Sequence, residues 1–344
     1  MNSEQNIQNK KLVKNLLKNI AESSLLNIDE NIRIAYHENA TVNAFYPINE
    51  LDDIDQLSNK IWKPILSSFE DLERRDSIIM GGEYKGNEYV SAVSILAGTF
   101  SKSWLNIKPT HKTIYLRLCE VHQISEGKIL QSHILIDTID FIRQAGYWPI
   151  NASLGVEQLW PAPITGDGAL FENHDQELSM QSLKQSLEMQ NTLNIKPEQE
   201  ADVKADKSLL KQKLIDHPQK DYWHPKMMWY GPCGIGSARG LEGFINHHQM
   251  PFRLTFSERD YWTIGHLAEI GDGNFSMTAG WHSIECMHNS NEWLGYNPTG
   301  KKIKMRVMDF YLHHEGKIRE NWVPIDIAHI LSQLGIDVFE LCNN

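Results

Sequence analysis

The sequence has few cysteines, a deficit of basic residues and no long apolar run. The four cysteines are scattered through 344 residues, and their spacing fits neither a Cys-x-x-Cys metal site nor a disulfide framework. We therefore expect free thiols in a reducing, cytoplasmic protein. Lysine and arginine total 33 against 44 aspartates and glutamates, a formal net charge of −11. This excess of negative charge argues against a nucleic-acid partner and against an anionic membrane as partner.

We also expect neither a targeting signal nor a membrane anchor in this sequence. No run of about 18 apolar residues is present to span a bilayer, and the polar residues 1–11 lack the apolar stretch of a secretory signal. What the sequence does contain is 15 histidines, 10 tryptophans and 11 methionines. These residue types are suited to the wall of an apolar pocket.

The chain repeats itself at a shift of 189 residues. Trp104–Gly146 aligns without a gap with Trp293–Gly335, and 15 of the 43 pairs are identical. We interpret this as a tandem duplication, with a first domain at 10–150, a proline- and glycine-rich linker at 151–175 and a second domain at 176–340. The charged stretch at 196–207 predicts an exposed loop or the frayed start of a helix. In each copy helical segments precede strands joined by hairpin signals, which predicts an α+β fold.

Four short motifs follow one another in the second copy. They are His288-Asn-Ser-Asn-Glu-Trp-Leu-Gly-Tyr-Asn-Pro-Thr-Gly-Lys301, Glu315-Gly-Lys-Ile, Trp322-Val-Pro-Ile-Asp326 and Gln333-Leu-Gly335. The series resembles the SnoaL-like polyketide cyclases, or ester cyclases, whose pattern is His-x-Gly-x-Phe/Trp-x-Gly-x-x-Pro-Thr-Gly-Lys/Arg, Asp/Glu-Gly-Lys-Ile, Trp-x-x-x-Asp and Gln-Leu-Gly. The first copy matches the pattern with departures, including His133 where the second copy has Trp322.

The resemblance implies a nuclear-transport-factor-two-like cone in each copy, in which a bent antiparallel sheet is wrapped around N-terminal helices and holds a pocket in its concave face. The chain would then consist of two tandem cone-shaped α+β barrel domains. Family members close a polyketide ring by aldol condensation, with an aspartate as base and without a metal or cofactor. Other proteins of this fold are isomerases, epoxide hydrolases, dehydratases or binding modules, so the fold does not settle the function.

Asp326 is the candidate base. It shares one face of the last predicted strand with Trp322 and Pro324. If that face lines the cone, the carboxylate lies beside an indole in an apolar cavity, where desolvation raises its pKa. The alternative is a helix N-cap, because Asp326 precedes an apolar helical pattern that Gly335 can end.

Two histidines are candidates for the second catalytic role. On an extended strand His282 and His288 share a face, and a neutral imidazole there can donate a hydrogen bond to an enolate or carry a proton. The alternative is a satisfied histidine of the core or the rim. Paired histidines elsewhere, such as His247-His248, lack the spacing of a zinc site, so we predict no metal.

A carboxylate interrupts the same apolar strand in both copies. Asp309 aligns with Glu120, and such a residue either lines a pocket or pairs with an arginine across the sheet. Arg117 and Arg306, on the opposite face, are predicted to be structural or interfacial. The predicted substrate contacts are Trp322, Asp309, Trp281, Trp293, Tyr311, Asp137, His133 and Glu120.

The second copy is predicted to carry the active site. Ten of the 15 histidines and six of the ten tryptophans lie from His217 onward, and this copy has the complete Trp-x-x-x-Asp motif. The first copy is then either a second site with altered specificity or a built-in partner. We expect the two domains to pair within the chain, with two independent domains as the alternative and a homo-oligomer left open.

These observations predict a cofactor-free acid–base enzyme with a small molecule as its partner. The expected reaction on a small carbonyl or ester compound is a polyketide-cyclase-like aldol cyclisation, with hydrolysis, dehydration or isomerisation as alternatives. A non-catalytic small-molecule-binding or assembly module of the same fold is the alternative function.

Overall fold

The computed structural model describes residues 1–171, 175–193, 206–261 and 263–342. Most of the loop predicted at 196–207 lies outside these ranges. Within them, no helix combines the length and the apolar character needed to cross a membrane.

Two compact units divide the chain. The first comprises residues 1–149, 161–176 and the C-terminal residues from Asp337, and the second comprises residues 150–160 and 177–336. The predicted linker 151–175 is not a separate segment in this division. Its residues up to Trp160 belong to the second unit, and the rest belong to the first.

The first unit is a six-stranded sheet covered by helices. Its N-terminal helices and the helix after the sheet are α1 (Ser3–Ala21), α2 (Ile28–Ala35), α3 (Ile54–Gln56), α4 (Lys63–Ser68) and α5 (Thr138–Gln144), with a π-helical turn at Leu57–Trp62. Its strands are β1 (Tyr36–Ala44), β2 (Glu50–Leu51), β3 (Glu73–Tyr84), β4 (Asn87–Thr99), β5 (Thr113–Ser125) and β6 (Lys128–Ile136). They lie in the order β2-β1-β6-β5-β4-β3. The apolar stripe of α1, which includes Val13 and Leu17, is buried.

The second unit has the same plan. Its helices are α6 (Gln176–Leu193), α7 (Lys207–Asp216), α8 (Gly240–Phe244), α9 (Met250–Thr255) and α10 (Ile327–Leu334), with a 3₁₀ turn at Pro218–Asp221 and a π-helical turn at Ile245–Gln249. Its strands are β7 (Trp223–Tyr230), β8 (Ala238–Arg239), β9 (Phe256–Asp260), β10 (Ala268–Asp272), β11 (Phe275–His288), β12 (Lys301–His314) and β13 (Lys317–Trp322). The chain ends with α11 (Val338–Leu341), which belongs to the first unit.

The two sheets share one topology, which supports the duplication. The second sheet has the order β10-β11-β12-β13-β7-β8, with β9 also paired to β11. The pairing in each sheet is mostly antiparallel, as predicted, and each sheet also contains one parallel pair, β1 with β6 and β7 with β13. In each pair one strand precedes the hairpins and the other is the last strand of the sheet. Helices and strands therefore separate the two along the chain, which leaves ample length for a parallel connection.

The sheets differ at one edge. In the first unit β3 pairs with β4 as one strand from Glu73 to Tyr84. In the second unit two shorter strands, β9 and β10, pair with β11 instead. The stretch between Asp260 and Ala268 therefore leaves the sheet edge, and it carries His266 away from the ladder.

Candidate functional site

The second unit contains a cavity of about 690 Å³, a volume that suits a small organic ligand. Its apolar wall includes Trp223, Trp229, Phe244, Phe252, Trp293, Val307, Ile327 and Ile330. Its polar groups include Gln190, His248, His266, Glu269, Asp309, Tyr311 and Asn321. An apolar chamber with a few polar groups is typical of a site that orients an organic molecule.

Strand β12 supplies the central row of the cavity. Alternate side chains of a strand point to the same face, and the residues that line the cavity from β12 are Met305, Val307, Asp309 and Tyr311. Arg306 lies on the opposite face, where its Nη1 is 3.2 Å from Asp326 Oδ2. The alternation thus places the carboxylate inside and the guanidinium outside.

Asp309 is the centre of a polar network. The side chains of Tyr311 and Asn321 hydrogen-bond to it. Gln190 Nε2 donates to the Tyr311 hydroxyl at 2.8 Å and to Thr278 Oγ1 at 2.8 Å. Because the Tyr311 oxygen accepts from Gln190, its own hydrogen is available to Asp309.

Asp309 is set up to exchange a proton near neutral pH. Burial raises its pKa to about 6, although the nearby His266 and the hydrogen bonds from Tyr311 and Asn321 act in the opposite direction. His266 is itself held by Glu269, with Nδ1 2.9 Å from Oε1. A general base works best when its pKa is close to the operating pH.

His248 presents a neutral imidazole to the same cavity. Its ring stacks on Trp229 with centroids 4.4 Å apart, and it lies 5.9 Å from the Phe252 ring. Burial, assisted by the positive charge of Arg253, lowers its pKa to about 3. The residue lies in the π-helical turn Ile245–Gln249, a distortion frequent at functional sites.

Asp326, the predicted base, is an N-cap. Its Oδ1 accepts a hydrogen bond from the His329 amide at 3.1 Å, and its Oδ2 lies 3.2 Å from Arg306 Nη1. Gly335 ends the helix with a φ of +92°, the left-handed conformation that glycine adopts without strain. A carboxylate bonded in this way favours its charged form and is a weaker base.

The strand face predicted to line the pocket is the wrong one. Asn321, Val323 and Ile325 line the cavity. Trp322 points the other way, and its ring packs against Tyr230 with centroids 5.2 Å apart. The condition under which Asp326 was assigned as base is therefore not met, and its catalytic role stays a prediction that this geometry does not favour.

The other predicted residues of the second copy are divided. Trp293 lines the cavity together with Asp309 and Tyr311. His288 is fully buried, and its Nδ1 lies 3.3 Å from Thr299 Oγ1. His282 Nε2 lies 3.0 Å from Glu285 Oε1. The ring of Trp281 lies under the guanidinium of Arg306 at 5.0 Å. His282, His288 and Trp281 are not among the described residues that line the cavity.

In the first copy the corresponding carboxylate forms a buried salt bridge with an arginine. Glu120, the counterpart of Asp309, lies 2.6 Å from Arg74, and both side chains have no exposed surface. Arg74 also bonds Asp76 at 2.7 Å. The arginine comes from β3, the strand whose counterpart is split in the second unit. The alternative that the sequence left open, an arginine across the sheet, is therefore what Glu120 adopts.

The remaining first-copy predictions fall on structural contacts. Asp137 caps α5 by accepting from the Asp140 amide at 3.0 Å and lies 3.4 Å from Arg117. His133 Nε2 lies 3.2 Å from Asn43 Nδ2. Arg117 and Arg306 both pair with the carboxylate that caps the following helix, which is the structural role predicted for them.

Sequence reasoning does not single out several residues of the network. Gln190 lies among leucines and methionines in α6, and Asn321 lies beside Trp322 in β13; the alternation of β13 would have pointed to Asn321 had the cavity face been known. The sequence pattern suggests for His248 only the role of a metal ligand, in the pair His247-His248. Within the described ranges, no three His, Cys, Asp or Glu side chains of this cavity converge on one metal position.

Comparison with known proteins finds one family model that is similar to part of the second unit. Residues 212–334 match the sequence model of SnoaL-like polyketide cyclases. The second unit therefore contains a segment that is similar to this family. That match covers β7 to β13 and α10, and so it includes Asp309, Tyr311 and Asn321.

Three solved structures similar to the chain are the following. AclR from Streptomyces galilaeus is 18% identical at a TM-score of 0.35, over 42% of this chain and 85% of that chain. IdmH from Streptomyces antibioticus is 15% identical at a TM-score of 0.34, over 41% and 99%. TsrD from Streptomyces laurentii is 16% identical at a TM-score of 0.33, over 40% and 96%. No curated protein matches the chain.

Proposed function

We propose that the second unit is a cofactor-free acid–base enzyme that acts on a small carbonyl or ester compound, with Asp309 as the base. The observation that carries this proposal is a carboxyl with a pKa of about 6, oriented by Tyr311 and Asn321 inside an apolar cavity. The family match supports a cyclase- or isomerase-type reaction on a small molecule.

The reaction begins with removal of a proton from the carbon next to the substrate carbonyl. Ionised Asp309 accepts that proton, and the carbonyl oxygen becomes an enolate oxygen that needs a hydrogen-bond donor. The enolate carbon then attacks a second carbonyl of the same molecule and forms the new ring bond. The protonated Asp309 returns its proton to the alkoxide that results, so no net proton is gained or lost.

His248 is the proposed donor to the enolate oxygen. Its imidazole is neutral and lines the cavity, and no described residue hydrogen-bonds to its ring nitrogens. The stack on Trp229 fixes the plane of the ring. A neutral imidazole N–H can stabilise a developing enolate, as the handling of triosephosphate by its isomerase illustrates.

The decisive experiment measures deuterium incorporation. A panel of small keto esters is incubated with the protein in D₂O, and exchange at the carbon beside the carbonyl is followed by NMR. We expect Asp309→Asn to lower the catalysed exchange on an identified substrate by at least about 100-fold. Asp326→Asn is the matched control, and it should leave the rate per folded molecule within a few-fold.

The opposite pattern would assign the base to Asp326 as the sequence predicted. If both variants keep the wild-type rate, neither carboxylate is the base. Product analysis then separates ring closure from isomerisation, dehydration or hydrolysis, because each places the abstracted proton and the new bond differently.

A non-catalytic binding module is the second candidate function. One observation favours it. Asp326, the carboxylate of the family-like Trp-x-x-x-Asp motif, caps a helix and pairs with Arg306. For such a module, a bound compound would be recovered unchanged, and its affinity would respond to Gln190 and Tyr311 variants without any exchange at carbon.

A further inference from the structure

The segment between the two repeats contributes to the cavity of the second unit. Residues 150–160 belong to that unit, and Asn151, Ala152 and Leu154 line the cavity. Residues 150–156 form a strap along this cavity. The sequence assigns these residues to a linker, a role in which they would have no ligand to contact.

Backbone hydrogen bonds hold the strap in place. The Asn151 amide donates to Leu294 O at 3.0 Å and the Gly155 amide donates to Ile235 O at 3.0 Å. The Val156 amide donates to Ser237 O at 2.9 Å and the Ser237 amide donates to Val156 O at 2.8 Å, which makes an isolated antiparallel bridge. The strap is therefore a fixed wall rather than a loose connection.

A contact between two glycines sets the position of the strap. A Cβ atom on Gly155 would lie 2.7 Å from the Gly236 carbonyl carbon and 2.7 Å from Ser237 O. Those atoms are backbone and cannot turn aside as a side chain can. Any side chain at position 155 thus pushes the strap away from the Gly234–Ser237 loop.

The strap lies at the mouth of the cavity. Asn151, Leu154 and Glu292 are exposed to solvent and also line the cavity, which is the signature of a rim. Asn151 Nδ2 donates to Glu292 Oε1 at 2.7 Å, so this side chain ties the strap to the neighbouring rim residue. Leu154 is 61% exposed, and a leucine at a rim gains burial when an apolar ligand covers it.

We infer that the strap is a ligand-contacting and specificity-determining wall of this site, with Leu154 packing against the apolar part of a bound molecule. The inference rests on the proposal that the cavity binds a small molecule, and it does not depend on which carboxylate acts as base. It assigns to the ligand an apolar portion that extends from the interior to the rim. Small polar carbonyl compounds would leave Leu154 uncovered.

The test uses 1-anilinonaphthalene-8-sulfonate as the probe and the full chain as the protein. We expect Leu154→Ala to weaken binding of the dye by about three- to tenfold, because it removes apolar surface that the dye buries. Leu159→Ala is the matched control, since Leu159 belongs to the same segment and is 48% exposed but does not line the cavity. Val307→Trp, which places a bulky indole inside the cavity, should weaken binding of the dye and so locate the dye there.

A second variant tests the glycine contact. Gly155→Ala should lower the affinity for the dye at least as much as Leu154→Ala does. Gly243→Ala is the control and should leave the affinity unchanged, because its added Cβ would lie 3.7 Å from Ala238, an ordinary van der Waals contact. Circular dichroism excludes unfolding as the cause, and Leu154→Ala decides the question if Gly155→Ala fails to fold.

The inference is overturned if Leu154→Ala binds the dye as tightly as Leu159→Ala, or if the full chain shows no saturable, Val307-sensitive binding. Failure of the proposed base has a different signature. In that case Asp309→Asn keeps its rate of α-carbon exchange while the dependence of dye affinity on Leu154 persists.

Discussion

At the scale of single residues, Asp309 and Asp326 show how one residue type takes opposite roles in neighbouring places. Asp309 is surrounded by an apolar wall, the neutral donors Tyr311 and Asn321 and the nearby His266, and burial raises its pKa. Asp326 has a backbone amide and a guanidinium as partners. The sequence pattern predicted Asp326 as the base and Asp309 only as a substrate contact, because the assignment depends on which face of β13 meets the cavity.

The pKa of Asp309 predicts the pH dependence of catalysis. Only the ionised form accepts a proton, so kcat/KM should fall about tenfold per pH unit below pH 6 and level off above it. His248 should not contribute a second break in the range from pH 5 to 8, because its pKa is about 3. A pH–rate profile on an identified substrate checks this, and an acid limb near pH 4 would contradict the role of Asp309.

The different surroundings of Asp309 and Asp326 predict opposite effects of Asp309→Asn and Asp326→Asn on stability. The pKa of Asp309 is raised in the folded state, so folding binds a proton more tightly and stability falls as the pH rises from about 4 through about 6. Asp309→Asn removes that cost, and we expect a gain of about 1–2 kcal/mol in the free energy of unfolding at pH 7. At pH 4 the gain should disappear.

Asp326→Asn should instead destabilise. Asparagine caps a helix as well as aspartate does, but the change removes the charge that pairs with Arg306, for a loss of about 1–2 kcal/mol at pH 7. Urea unfolding of both variants and the wild type, measured at pH 4 and pH 7, gives the comparison. Equal signs for the two variants at pH 7 would show that their environments are not the ones described.

At the scale of elements, the edge of the sheet separates the two copies. In the first unit the unbroken β3 carries Arg74 to Glu120. In the second unit the strand is interrupted between Asp260 and Ala268, and His266 from that interruption lines the cavity with Asp309. The aligned carboxylates of the repeat were visible in the sequence, whereas the arginine was not, since it lies on a strand where the repeat needs insertions.

This difference predicts a strong requirement for Arg74. Arg74→Met leaves Glu120 buried without its cation, and removing one partner of a buried pair costs about 3–5 kcal/mol. Arg75→Met is the matched control, because the Arg75–Glu73 pair is exposed and such pairs contribute about 0–1 kcal/mol. Thermal unfolding of the full chain measures both, and Arg74→Met combined with Glu120→Leu should recover part of the loss.

A loss below about 1 kcal/mol for Arg74→Met would mean that Glu120 is not fixed by this arginine. The carboxylate of the first unit would then have to be reconsidered as a group open to a ligand.

At the scale of the whole molecule, the duplication and the α+β class could be read from the sequence because both depend on local patterns. The hairpin turns and the helix stop at Gly335 lie within short stretches of sequence, and the 189-residue repeat is found by comparing two such stretches. The parallel strands β1 and β7, the network around Asp309 and the strap could not be read in the same way. Each joins residues that are distant along the chain, and a pattern within one stretch carries no information about such a partner.

The contrast between the units predicts that the chain has one active site. Because Glu120 is paired with Arg74 and Asp309 is not paired with an arginine among its described contacts, the second unit should account for all α-carbon exchange. Asp309→Asn should remove the activity of the full chain without a residual from the first unit, and Glu120→Gln should keep the rate per folded molecule within about twofold, since an effect on stability alone changes the folded fraction and not the rate. Pre-steady-state measurements with substrate in excess give the number of sites as the burst of product formed per chain, for which we expect one. A burst of two products per chain, or a loss of half the activity in Glu120→Gln, would establish a second working site in the first unit.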